Sequence, residues 1–100
     1  MLSLSSIAQS GMQAAQARLN ASASNVANMS TPGYQAVEAQ SQANPASGGV
    51  VVNFSRAATE GVSLEKEAVQ QIEAKSTYTA NLQVLKTSDQ MMGSLLNAKA

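Results

Sequence analysis

Along the first third of the chain, apolar and small side chains recur at Leu4, Ala8, Met12, Ala15, Leu19, Ser22, Val26 and Met29. Steps of three and four residues mark one face of an α-helix, and they predict a helix from about Leu4 to Met29. Ala and Gln on the flanks favour it, and Ser3, Ser5 or Ser6 can supply the N-cap. The stop signal is Pro32, which moves Thr31 away from helical backbone angles, while Pro32-Gly33 suits the centre of a type II turn. At 1.5 Å per residue this helix would be about 37 Å long.

A second helix of about 51 Å is predicted from about Ser63 to Leu96. Ser63 is placed to cap it, Glu65 and Glu67 lie in the first turn where the helix dipole favours anions, and Lys99 lies beyond the other end, where a cation is favoured. Two seams run along it. One is Val69, Ile72, Ser76, Ala80, Val84, Thr87, Met91 and Leu95; the other is Tyr78, Leu82, Leu85, Asp89, Met92 and Leu96. A single partner helix covers one narrow seam, so the broad apolar arc of the C-terminal half calls for two or more partners.

Between the helices, from about Tyr34 to Thr59, the chain is rich in Ala, Gln, Ser and Asn and is broken at Asn44-Pro45 and Gly48-Gly49. One short strand is predicted, with Val50, Val52 and Phe54 on one face. It needs a partner strand, either in the Tyr34–Gln40 stretch or in another chain, and the segment is expected to be partly disordered in the free protein. The expected fold class is therefore mainly α. Two long terminal helices (1–33 with the Pro-Gly turn, and 61–100) form a helical hairpin or coiled-coil-like bundle around an extended or disordered middle, 34–60, with at most a small β element.

Composition sharpens this reading. One hundred residues make one small domain, and of the 44% hydrophobic residues 18 are Ala, leaving Tyr34, Phe54 and Tyr78 as the aromatic side chains. Each buried CH₂ is worth only about 0.8 kcal/mol, so an Ala-heavy core predicts a protein that folds weakly alone and gains helix on association. Net charge is zero with 12% charged residues, which leaves no electrostatic footprint for nucleic acid or an anionic membrane. No apolar run is long enough to span a bilayer, and the N-terminus has no basic residue before Arg18, unlike a cleaved signal peptide.

With no Cys and no His, thiol nucleophiles, imidazole bases and the usual zinc ligand sets are missing. Glu60, Glu65, Glu67 and Glu73 read as helix-start and solvated carboxylates rather than an acid–base pair, and Lys66, Lys75 and Lys86 as snorkelling surface lysines rather than Schiff-base amines. Gly48-Gly49 lacks the remainder of a phosphate-binding loop. No catalytic, cofactor or metal residue is assigned. Met12, Met29, Met91 and Met92 serve either as core filler or as an adaptable partner surface. Asp89 either sets register in a coiled coil or points outward. Asn25 and Asn28 read by default as local helix-end caps, with pairing to a neighbouring helix as the alternative.

Gly11-Met12-Gln13-Ala14-Ala15-Gln16-Ala17-Arg18-Leu19, followed by the stretch from Ala23 through Asn25-Val26-Ala27-Asn28 to Thr31-Pro32-Gly33-Tyr34, resembles the N-terminal motif of the bacterial flagellar rod, hook and hook–filament junction family. The stretches Glu73–Leu82 and Val84–Met92 are similar to that family's C-terminal helix, and the short middle is most like that of the small proximal-rod members. The resemblance implies a structural axial subunit of the basal-body rod, not an enzyme, that contributes to motility. It further implies passage through the flagellar type III export apparatus without a cleaved signal, a place in the periplasm-spanning basal body, and other axial subunits and copies of itself as partners, with no cofactor, nucleic acid or membrane insertion. By position it marks Asn25, Asn28, Thr31, Pro32, Gly33 and Tyr34 at the first helix end and Tyr78, Ala80, Asn81, Leu85, Asp89 and Met92 on the second helix. With the apolar positions Leu4, Met12, Leu19, Val26, Ile72, Leu82, Met91, Leu95 and Leu96 they form the expected assembly interface. The alternative is a soluble helical adaptor or export regulator that binds axial or export proteins.

Overall fold

Two helices enclose a β-hairpin in chain order: α1 (Leu4–Ala27), β1 (Val37–Ala43), β2 (Val50–Arg56) and α2 (Leu64–Lys99). The computed structural model describes residues 4–46 and 48–99, so Ser3, one of the three candidate N-caps, lies outside the described residues. α1 ends two residues before Met29. Asn28 N–H still donates to the Ser24 carbonyl at 3.0 Å, and the chain then reverses at Thr31–Tyr34. There Tyr34 N–H donates to the Thr31 carbonyl at 3.3 Å. Gly33 has φ 74°, the left-handed value that the third position of a type II turn requires.

Ser63 caps α2: its carbonyl accepts the Glu67 N–H at 3.0 Å, and its hydroxyl lies 3.4 Å from the Lys66 N–H. The helix runs to Lys99, so this lysine belongs to the last turn rather than lying beyond it. The predicted strand at Val50 finds its partner within the chain. β1 and β2 pair antiparallel from Val37 opposite Arg56 to Ala43 opposite Val50. The connecting turn is closed by Asn44 N–H to Gly49 O and Gly48 N–H to Asn44 O, both 2.8 Å.

α1 and α2 pack antiparallel along small and polar side chains. On α1 the buried positions are Ala8, Gly11, Ala14, Ala15, Ser22 and Asn25. On α2 they are Glu67, Ala74 and Ser88, which with half-buried Asn81 repeat every seventh residue, the spacing of a coiled-coil seam. Size explains the choice. A Cβ on Gly11 would stand 2.6 Å from Asn81 Oδ1, so the Asn81 side chain fills the space beside Gly11 and leaves no room for a larger residue there.

The apolar stripe predicted for α1 is thus right in phase at Ala8, Ala15 and Ser22. Its larger members lie elsewhere: Met12, Leu19 and Val26 are half-buried at the edges, and Leu4 and Met29 are exposed. Neither predicted seam of α2 is its buried stripe. Leu82 and Leu85 flank the contact half-buried, whereas Val69, Ile72, Val84, Met91 and Leu95 face outward.

The hairpin folds back along one flank of α1. Asn25 holds its start at Val37, and about 20 Å away the Ser10 hydroxyl accepts the Val50 N–H at 3.0 Å. The result is a slender body of 64 × 25 × 14 Å with a radius of gyration of 17.4 Å. A globular domain of this length would have a radius of about 13 Å.

Candidate assembly surface

At the end where α1 hands over to the hairpin, a polar knot fixes the helix pair. Asn25 is only 2% exposed, and its amide is fully used. Nδ2 donates to the Val37 carbonyl at 2.9 Å and to Glu67 Oε1 at 3.1 Å. Oδ1 accepts the Val37 N–H at 2.8 Å and the Tyr34 hydroxyl at 3.0 Å. One side chain therefore ties α1 to β1, to the Pro-Gly turn and to α2. Beside it the Ser22 hydroxyl donates to the Glu67 carbonyl at 3.1 Å and accepts from Gln71 Nε2 at 3.2 Å.

Among the described residues no buried side-chain nitrogen or oxygen is left without a partner. That matters here, because an unpaired buried polar group costs about 1–3 kcal/mol. Arg56 lies over the Tyr34 ring, 5.7 Å from its centroid, and donates to the Gln35 carbonyl at 3.0 Å, closing the knot from outside.

The two asparagines thus separate. Asn28 is the local cap, donating to the Ser24 carbonyl at 2.9 Å, while Asn25 joins three elements. Glu67 lies in the first turn of α2 as expected, but it is buried there: it is 5% exposed and meets Asn25 across the helix pair. A step further along, Arg18 reaches Gln70 Oε1 at 2.9 Å and Glu73 Oε2 at 3.0 Å, and Lys66 pairs with Glu38 at 3.3 Å. These exposed pairs are worth at most about 1 kcal/mol each, so they guide the register more than they hold it.

The opposite end reverses this pattern. Burial on α2 stops at Ser88, and every residue from Asp89 to Ala98 is exposed. The reason is length: α1 has 24 residues and α2 has 36, a difference of about 18 Å, so α2 runs on past the start of its partner. Met91, Met92, Leu95 and Leu96 on this overhang are between 59% and 68% exposed. Asp89 points outward at its base.

Of the remaining positions expected at the interface, Thr31, Pro32 and Gly33 are exposed, Asn28, Tyr34 and Asn81 are half-buried, and Tyr78 and Ile72 are exposed. Glu67, Gly11 and Ser88 were not among them. Their signal was the sevenfold repeat of small and polar residues, which a search for large apolar side chains passes over. Among the described residues no group of three or more His, Cys, Asp or Glu side chains could hold a metal ion. No described helix is long and apolar enough to cross a membrane.

An antiparallel pair of unequal helices, tied at one end and bare at the other, defines an elongated structural protein. Two sequence-family models agree with that class and make it specific. One described as "Flagella basal body rod protein" matches residues 6–35, and one described as "Flagellar basal body rod FlgEFG protein C-terminal" matches residues 57–98. The chain belongs to the flagellar basal-body rod family, and its role is that of a structural axial protein rather than an enzyme. The family places it outside the cytoplasm, in association with other axial proteins. A comparison with curated proteins gives no match.

Proposed function

We propose that this chain is a rod subunit of the basal body that associates with copies of itself and with neighbouring axial subunits through the bare parts of α2. It reaches its place through the flagellar export apparatus without a cleaved signal. The observation that carries this reading is the overhang: four large apolar side chains stand on a helix whose own chain offers them no cover. Removing such side chains from water is worth roughly 1.5–3 kcal/mol apiece, enough to drive association of a slender subunit. Ile72 and Val69 add a second bare apolar patch on the face of α2 turned away from α1.

Deletion of residues 89–100 tests it. The truncated chain should still be exported but should fail to enter the rod, and motility should be lost. Normal motility in this mutant would overturn the proposal. Purified basal bodies add a second readout: a rod subunit stays with them through detergent and salt washes, whereas a chain that merely escorts axial proteins washes off.

A further inference from the structure

The two flanks of the helix pair differ. The hairpin covers one, from Asn25 to Ser10. The other carries an open groove whose walls are Met12, Gln16 and Leu19 of α1 and Tyr78 of α2, with Lys75 on its rim. Between Leu19 and Tyr78 the groove encloses about 350 Å³, and it continues past Gln16 to Met12 and Gln9.

The geometry points to the occupant: the overhang of α2, residues 89–99, from a second copy of the chain, seated head-to-tail in this groove. The inference rests on the assembly reading above and supplies the seat that reading lacks. Length agrees, since the eleven residues of the overhang extend about 16 Å and the groove from Gln9 to Leu19 about 15 Å. Chemistry agrees as well. Gln90 to Ala98 contains no charged residue, and the groove contains one, Lys75. Lys75 and Asp89, at the base of the overhang, have opposite charges, and neither has an ion-pair partner among the described residues.

Gly93 is a third and independent observation. It sits in the middle of the overhang, where glycine weakens a helix, yet a Cβ there would meet nothing within 4 Å. Gly11 shows what glycine accomplishes in this fold, namely room for a side chain of a second helix. Gly93 shares a helix face with Asp89 and Leu96, four and three residues away, and so leaves room along that line for the side chains of the neighbour. A head-to-tail contact leaves one groove and one overhang free at the ends, so it propagates instead of closing.

Because the chain has no cysteine, single-cysteine full-length variants test the seat directly. Leu96→Cys and Met12→Cys proteins are mixed under assembly conditions and oxidised. Val51→Cys, on the hairpin, replaces Met12→Cys in the control mixture. The expected result is a 96–12 adduct in at least about tenfold excess over 96–51, and Gly93→Leu should lower its yield about tenfold without lowering the thermal stability of the subunit. A dominant 96–96 adduct, or equal yields at 12 and 51, would overturn the head-to-tail seat. Sedimenting assemblies without a 96–12 adduct would overturn the seat and leave the assembly reading standing. Failure to assemble at any concentration, with or without other axial subunits, would overturn both.

Discussion

Where the chain passes from α1 into the hairpin, side chains that favour water are sealed inside: Asn25, Ser22 and Glu67. Where α2 runs beyond Leu4, side chains that avoid water stand in it: Met91, Met92, Leu95 and Leu96. The first end is held by directional bonds, and among the described residues no buried side-chain nitrogen or oxygen lacks a partner. The second has no match inside the subunit. The difference teaches how a chain of modest core can define one shape and still reserve its adhesive surface. Geometry is set by hydrogen bonds that tolerate a single arrangement, and association is left to apolar contact, which is non-directional and scales with area.

The sharpest way to break the comparison is at Asn25. Asn25→Ala removes both donors and both acceptors and strands the Val37 amide, the Tyr34 hydroxyl and Glu67. A loss of about 3–5 kcal/mol is expected, visible as a fall in the melting temperature by circular dichroism of well over 10 °C.

Asn25→Asp keeps the acceptors but sets a carboxylate against Glu67 Oε1, to which the native amide donates at 3.1 Å. Two carboxylates so close share a proton more readily when folded than when unfolded. The folded variant therefore binds the extra proton, and its stability should recover as the pH is lowered through the carboxylate range. A melting temperature of this variant that does not rise between pH 7 and pH 5 would show that the two groups do not face each other.

A smaller effect sharpens the account of close packing. Gly11→Ala displaces the Asn81 side chain, which donates to the Thr77 carbonyl at 2.9 Å, so a loss of about 1 kcal/mol offsets the similar gain in helix propensity. In an Asn81→Ala background the same substitution should instead stabilise by about 1 kcal/mol. A double-mutant cycle by urea unfolding measures the coupling, and strict additivity would mean that the helices do not meet there.

The smallest effect on the folded subunit is expected at the bare end. Leu95→Ser and Leu96→Ser should change unfolding free energy by no more than about 0.5 kcal/mol while abolishing association in sedimentation experiments. The largest stability change and the largest assembly change would then fall at opposite ends of the helix pair.

Much of this architecture is legible from local signals. The Pro32-Gly33 stop, the Ser63 cap, the strand at Val50 and the extent of both helices each depend on residues within a turn or two of one another. The contacts between helices are not local. Asn25 and Glu67 have the same immediate sequence surroundings whether they cap, dissolve or bury, and 42 positions separate them. Large apolar residues dominate any reading of periodicity. Here the closest contact excludes them, so Ile72 and Val69 were legible as a seam but not as a face turned away from α1. The exposure of Met91, Met92, Leu95 and Leu96, by contrast, follows from the surplus of apolar surface on the second helix that the sequence already displays.

The antiparallel pairing also bears on the order of folding. Ser22 meets Glu67, and Gly11 meets Asn81, far downstream in the chain. Until the final third of the chain is present, α1 has only the hairpin to settle against, through Asn25 and Ser10. The helix pair is therefore a long-range contact, completed only when both helices are in place.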